Sequence, residues 1–346
     1  METAQKNPWD AAGLSKAIVT GASGFVGRAL CGSLLHQGAK VIATGREQTV
    51  FPEVKSGSLE WVATGEIGSA TNWPLAGVEI VFHLAARVHV MHETANDPLA
   101  EFRRVNTAGT EHLARCAAAS GVKRLVYVSS IKVNGEATHE GQKFFATDIP
   151  CPQDPYGVSK WEAEQALHRV ADETGLEVVI VRPPLVYGSG VKGNFAQMME
   201  VLARRIPLPF ASVHNRRSLI YVENLVDALI TCATHPAASG QTYLICDGED
   251  VSTPDLLRQL AAAMGLSHRL FPCPPALLQL AGKLAGKSQQ LERLLGSLQV
   301  DGDKIRRDLN WAPPYSLKQG LQATAEGRRN YGLGDLSSRM RDGGLP

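Results

Sequence analysis

Three side chains stand at a spacing that would move a proton at neutral pH. Tyr156 and Lys160 lie four residues apart in Tyr156-Gly157-Val158-Ser159-Lys160, which on a helix puts them on one face, one turn from each other. A free phenol has a pKa near 10 and is a poor acid or base at neutral pH. A nearby ammonium, together with the positive ring of an oxidised nicotinamide, would favour the phenolate and lower that value. Tyr156 would then exchange a proton with a sugar hydroxyl or a ketone, while Lys160 would also hold the nicotinamide ribose. Ser130 ends the run Val126-Tyr127-Val128-Ser129-Ser130 and would hydrogen-bond the same substrate oxygen. A Tyr-x-x-x-Lys pair also arises by chance on surface helices, so its weight rests on a second motif far upstream.

That motif is Thr20-Gly21-Ala22-Ser23-Gly24-Phe25-Val26-Gly27. It follows a short apolar run and opens a helical pattern, the context a dinucleotide-binding fingerprint requires. Gly21 would let the chain turn tightly. Gly24 would let the backbone of Ser23, Phe25 and Val26 approach a pyrophosphate, whose charge a helix N-terminus favours. Gly27 would let helix and strand pack closely. Where a carboxylate about 20 positions further on would hold the ribose hydroxyls, the sequence has Ala43-Thr44-Gly45-Arg46. A guanidinium suits a 2′-phosphate, so Arg46, with help from Arg28, favours NADP(H). Glu47 beside it keeps NAD(H) as the alternative.

Repeated strand and helix patterns must position these motifs. Apolar runs at 17–20, 41–44, 59–63, 80–84, 125–129 and 177–182 read as strands. Helical periodicity covers 25–36, 98–120 and 156–173. Short, fully apolar strands alternating with helices imply a parallel sheet covered on both faces. After Pro183 the order becomes irregular, with helices expected at 224–235, 253–264 and 275–284 and a strand at 242–246. The expected architecture is α/β: a Rossmann-type doubly wound parallel sheet over residues 16–183, then a smaller, mostly helical substrate lobe over 184–331. Segments of that lobe are free to return to the first domain, and residues 1–15 and 332–346 are expected as tails.

Composition excludes several classes. The 346 residues include 35 Lys and Arg against 34 Asp and Glu, a balance that gives no support for a nucleic-acid partner. No stretch reaches the roughly 18 apolar residues of a membrane helix, so no membrane insertion is expected. The polar start lacks the apolar centre of a secretory signal, and a cytoplasmic protein is expected. Six cysteines, at 31, 116, 151, 232, 246 and 273, show no metal-type spacing and read as buried, reduced thiols. His83, His89 and His92 lack a carboxylate or thiol to complete a ligand set, so no metal is expected. His83 is expected to pack near the cofactor, with His89 and His92 on a loop over the substrate. Leu225, Ala228 and Leu229 read as plain core.

With these motifs in place, the chain from about Lys16 to Tyr331 resembles an extended short-chain dehydrogenase/reductase of the nucleotide-sugar epimerase, dehydratase and reductase group. The resemblance implies further roles. Glu66-Ile67 matches an adenine-contacting pair, and His83-Leu84-Ala85-Ala86 matches the loop beside the cofactor. Asn106 matches a helix asparagine near the active site, and Arg182-Pro183 the strand end before the substrate lobe. Asn194 and Arg217 fall where the family binds the nucleotide diphosphate, with Lys192 also within reach. Asp308-Leu309-Asn310-Trp311-Ala312-Pro313 resembles a C-terminal family segment. The chain departs from the family at Val133-Asn134-Gly135, at Arg217-Ser218-Leu219 and at the missing acidic residue after the second strand.

These departures turn the expectation from simple hexose epimerisation to reduction. The runs Ile131–Glu136 and His83–Met91 resemble a bacterial subgroup that includes enzymes of lipopolysaccharide O-antigen synthesis. That implies a homodimeric, cytoplasmic NAD(P)-dependent 4-ketoreductase of a UDP-4-keto-6-deoxy-N-acetylhexosamine. The alternative is a 4-epimerase of UDP-glucose or UDP-N-acetylglucosamine using the same three residues. A dehydratase fits poorly, because Ser130 is followed by Ile131-Lys132 rather than an Asp-Glu pair. A dinucleotide-sensing protein without chemistry is the distant alternative.

Overall fold

Strand formation follows the apolar runs because each is buried on both faces, where β-branched and aromatic side chains pack well. A computed structural model describes residues 8–49, 58–70, 72–88, 97–284, 286 and 288–328. Its strands are Lys16–Thr20 (β1), Lys40–Gly45 (β2), Leu59–Ala63 (β3), Ile80–His83 (β4), Arg124–Val128 (β5), Glu177–Arg182 (β6), Leu185–Tyr187 (β7), Arg217–Tyr221 (β8), Thr242–Leu244 (β9) and Asp250–Val251 (β10). Its helices are Pro8–Ala11 (α1), Phe25–His36 (α2), Pro98–Phe102 (α3), Gly109–Ala119 (α4), Pro155–Thr174 (α5), Gly193–Ala203 (α6), Val222–Thr234 (α7), Thr253–Ala263 (α8), Pro275–Leu284 (α9), Ser288–Leu295 (α10) and Asp303–Leu309 (α11).

Seven strands form one sheet in the order β3-β2-β1-β4-β5-β6-β9, and every pairing in it is parallel. Successive side chains of a strand point to opposite faces, so Leu125 and Tyr127 enter one core and Val126 the other. Helices α4 and α5 cover the first face, and α2 and α7 cover the second. This is the doubly wound, Rossmann-type arrangement. Its strand order reverses between β1 and β4, and ligands of such sheets bind beyond the carboxyl ends of the strands at that reversal. Both the glycine loop after β1 and the loop after β4 lie there.

The chain after Pro183 does not stay apart from the sheet. β9 extends it by pairing Ile180 with Thr242 and Arg182 with Leu244. Leu225, Ala228 and Leu229 of α7 share a core with Leu30 and Leu34 of α2. The remaining strands form a small sheet, β10-β8-β7, which packs with α6 and α8 into a separate core.

Three local details differ from the sequence reading. Within the stretch expected as a tail, α1 is helical and Trp9 is wholly buried, its ring stacked on Phe82. An apolar ring of that size has enough area to hold a chain end down. The helix expected over 98–120 is three pieces, because Arg103–Ala108 winds as a wider π-turn between α3 and α4. Such turns cluster at functional positions. The cysteines are free, but only Cys31, Cys232 and Cys246 are buried, while Cys151 is exposed. Among the described residues no helix is long and apolar enough to cross a membrane.

Candidate active site

The glycine loop is built as a cradle. Gly21 has a left-handed backbone (φ +69°), and a Cβ there would lie 2.9 Å from the backbone of Ala85. A Cβ on Gly27 would stand 2.3 Å from the Gly21 carbonyl oxygen and 2.7 Å from Ala22 Cα, so only glycine lets α2 start this close to β1. The Gly24 N–H donates to the Gly21 carbonyl at 2.9 Å. No side chain caps the first turn of α2, and that turn carries no acidic residue. The amides of Phe25 and Val26 at a helix N-terminus suit a pyrophosphate, so the residues present fit a dinucleotide. Ser23 reaches toward the end of β2, its Oγ 3.6 Å from where a Gly45 Cβ would stand. Arg46 is exposed just beyond that strand end.

The loop Leu84–Val88 is pinned from two sides. The Ala85 N–H donates to Thr20 Oγ1 at 3.2 Å. That oxygen lies 2.7 Å from His83 Nδ1, and His83 Nε2 lies 2.8 Å from Thr110 Oγ1. Burial pushes the His83 imidazole down to about 3, with the Lys160 charge acting the same way. The ring is therefore a neutral spacer between two hydroxyls. Ala86 follows in the same half-buried loop. Asn106 anchors the loop's far end: its Oδ1 accepts from the Arg87 N–H at 2.7 Å and its Nδ2 donates to the Arg87 carbonyl at 3.0 Å. Nδ2 also donates to Ser159 Oγ at 3.0 Å, and that hydroxyl donates to the Tyr156 carbonyl at 2.8 Å. Asn106 thus works as a clamp between the loop and the turn of α5 that carries Tyr156.

Helix α5 begins where its own residues dictate. Asp154 caps it by accepting from the Gly157 N–H at 2.6 Å, and Pro155 occupies the first turn, both preferred there. A Cβ on Gly157 would lie 2.9 Å from the Lys132 carbonyl, so this glycine allows the Ser130 turn to approach the helix. Ser130 lies beyond β5, whose continuation is braced against β6: Ser129 N–H donates to the Val181 carbonyl and Ile131 N–H to the Pro183 carbonyl. The Lys132 ammonium contacts Asp154 and lies 2.8 Å from Glu136, tying the turn to the start of α5.

Within this frame Ser130, Tyr156 and Lys160 come together. The Ser130 hydroxyl shares a hydrogen bond with the Tyr156 phenol. Lys160 Nζ donates to the Val128 carbonyl at 2.8 Å, 4.4 Å from the Tyr127 ring centre and 5.9 Å from that of Tyr156. Burial pushes the ammonium down to about 7, with Glu164 opposing. Burial holds the Tyr156 phenol above the ordinary value; the Ser130 hydrogen bond opposes this and the Asp154 carboxylate adds to it. The protein alone therefore keeps Tyr156 as the neutral acid. The Tyr156 side chain as a whole is only half-buried.

Other expected residues have partners of their own. Glu66 is held by Arg104 at 2.8 Å, which keeps its carboxyl below the ordinary value. Ile67 packs on α4, and a Cβ on Gly109 would meet its Cγ2 at 2.5 Å. Lys192 and Asn194 are exposed at the start of α6. Arg217 Nη1 donates to the carbonyls of Arg293 at 2.7 Å and Gly296 at 3.0 Å. His89 and His92 lie outside the described residues.

Two departures from the family pattern acquire reasons. Asn134 Oδ1 accepts from Arg182 Nη1 at 3.0 Å, and its Nδ2 donates to the Phe145 carbonyl at 2.9 Å. Ser218 contacts Asp250 and accepts from the Val300 N–H at 2.9 Å. Sequence reasoning missed the buried network beneath the site. Arg182 and Glu164 form a two-point pair at 2.9 and 2.5 Å, and Ser129 donates to the same carboxylate at 2.5 Å. Glu164 follows Lys160 by one turn, and that spacing was the available clue.

The comparisons agree with this geometry. The chain is 44% identical over 312 residues, 89% of its length and 94% of the relative's, to "UDP-glucose 4-epimerase" of Vibrio cholerae. It is 28% identical over 338 residues, 89% of its length and 97% of the relative's, to "2-alkyl-3-oxoalkanoate reductase" of Stenotrophomonas maltophilia (strain K279a). Among solved structures, MoeE5 in complex with UDP-glucuronic acid and NAD superposes with a TM-score of 0.72 at 25% identity, covering 92% of this chain and 100% of that one. The family model described as the NAD dependent epimerase/dehydratase family matches residues 17–246. With its glycine cradle after β1, Ser130 after β5 and Tyr156 and Lys160 on α5, the chain belongs to the NAD dependent epimerase/dehydratase family, an extended short-chain dehydrogenase/reductase.

Proposed function

We propose that the protein is a UDP-sugar 4-epimerase acting on UDP-glucose or UDP-N-acetylglucosamine. The observation that carries this reading is the joined Ser130–Tyr156 hydroxyl pair above the buried Lys160, in a chain 44% identical to a UDP-glucose 4-epimerase. A dinucleotide on the glycine cradle would supply a hydride acceptor and donor for C4 of the sugar. Ser23, Gly24, Phe25 and Val26 would hold its phosphates, and Ala85, Ala86 and Pro183 would line its nicotinamide half. With an oxidised nicotinamide ring and the Lys160 ammonium to favour its phenolate, Tyr156 would take the proton of the C4 hydroxyl as the ketone forms and return it afterwards. Ser130 hydrogen-bonds the same oxygen. Lys160, fixed by the Val128 carbonyl, orients the ribose and offsets charge on Tyr156. Lys192, Asn194 and Arg217 would serve the nucleotide diphosphate. NAD is the retained carrier in this reading, and Arg46 makes NADP(H) acceptable at the same ribose. The reading includes a homodimer through helices of the sheet domain, which light scattering checks.

A second reading is reduction of the C4 ketone of a UDP-4-keto-6-deoxy-N-acetylhexosamine during surface polysaccharide synthesis. It is favoured by Arg46 at the end of β2, which suits a dissociable NADPH, and by the likeness to a reductase. One experiment separates the two. The purified protein is incubated with UDP-glucose or UDP-N-acetylglucosamine without added reductant, and the sugar products are resolved by chromatography. The epimerase reading expects the C4 epimer and loss of turnover by roughly a hundredfold or more in Tyr156→Phe. No epimer, with NADPH consumed on a 4-keto substrate, contradicts it. Turnover unchanged in Tyr156→Phe contradicts both.

A further inference from the structure

Helix α9, which carries none of the candidate site residues, has an exposed apolar face. Leu277, Leu280 and Leu284 of α9 are 56, 55 and 83% exposed. Their spacing places them on one face of the helix, opposite the buried Leu278 and Gly282, where Leu291 of α10 packs. A bridge between Leu208 and Leu270, with hydrogen bonds from Leu208 to Arg269 and from Phe271 to Leu208, joins the chain after α6 to the segment leading into α9. Ile206 and Phe271 there are 45 and 46% exposed.

Cations predominate in the two stretches that carry these side chains. From Leu256 to Leu291 the sequence contains no Asp or Glu, and from Val201 to Val222 it again contains none. The first stretch carries Arg269 and Lys283 and the second Arg204 and Arg205, all exposed. Arg204 pairs with Glu200. An overall charge of +1 therefore conceals a local excess of cations around protruding leucines. A second protein copy would bring the same cations against themselves. An anionic bilayer offers phosphates to the cations and acyl chains to the leucines, the combination that holds amphipathic helices at membrane surfaces. We propose that α9, with Ile206 and Phe271, is a peripheral docking face for an anionic lipid bilayer. It holds the enzyme flat on the membrane while the polar active site stays in water.

The test is co-sedimentation of the full chain with vesicles. Vesicles of phosphatidylcholine containing about one third phosphatidylglycerol should carry the protein down, and pure phosphatidylcholine should not. High salt should release it. In Leu280→Gln/Leu284→Gln the partition should fall by roughly tenfold or more. Turnover of a soluble UDP-sugar should be unchanged, which shows that the variant folds. Absence of binding to the anionic vesicles overturns the proposal, as does equal binding by the variant. A patch-dependent dimer in light scattering that the same variant dissolves, without vesicle binding, would assign the face to a second copy instead.

Discussion

Lys160→Met isolates the cost of placing an amine under the active site. The ammonium is 1% exposed, and burial lowers it from 10.5 to about 7. Its folded form thus gives up the proton near 7, whereas the unfolded chain holds it up to about 10.5. Between these values the unfolded state binds the extra proton, so stability rises with pH across that window. Below about 7 the penalty is complete, and it corresponds to roughly 5 kcal/mol at 1.36 kcal/mol per pK unit. Methionine fills the same volume without charge but leaves the Val128 carbonyl unpaired, at about 1–3 kcal/mol. The variant should therefore be more stable than the parent by about 2–4 kcal/mol at pH 6, with the gain shrinking above pH 7, and catalytically dead. Urea unfolding of both proteins, freed of bound nucleotide, at pH 6 and pH 9 measures this. A variant less stable at pH 6, or a parent without the extra rise toward pH 9, would refute the reasoning.

Two further perturbations read other parts of the frame. Gly27→Ala would set a Cβ 2.3 Å from the Gly21 carbonyl. It should cost about 1–3 kcal/mol of stability and abolish dinucleotide retention, checked by thermal unfolding and by nucleotide release on denaturation. Arg182→Met strands the fully buried Glu164 carboxylate and should cost about 3–5 kcal/mol, seen as a large drop in the urea midpoint. Glu164→Gln in the same background should recover part of that loss.

The glycine cradle and the Tyr156–Lys160 pair were legible because each is a local spacing on one strand-to-helix turn or one helix. The sheet followed from the apolar runs, and Ser130 from its place at a strand end. What escaped was long-range. Asn106 reads as a site asparagine, yet its role as a clamp depends on Arg87 of the loop after β4 and Ser159 of α5 both reaching it. Lys132 reads as a departure from a pattern, and only the approach of Asp154 shows that it ties the Ser130 turn to α5. At Tyr156 the spacing shows the ammonium, whereas the burial that opposes it comes from elements far apart in the chain. Arg217 reads as a phosphate ligand from its register, while its bonds to Arg293 and Gly296 come from a segment far along the chain.

The central claim is that a dinucleotide held on the glycine cradle would take one hydride from C4 and return it to the same carbon, while Tyr156 moves the hydroxyl proton. UDP-glucose deuterated at C4, incubated with the purified protein in ordinary water and followed by NMR, tests it most directly. The account predicts that the 4-epimer appears with deuterium still at C4 and without added reductant. A 4-epimer carrying solvent hydrogen at C4, or no epimer at all, would contradict it.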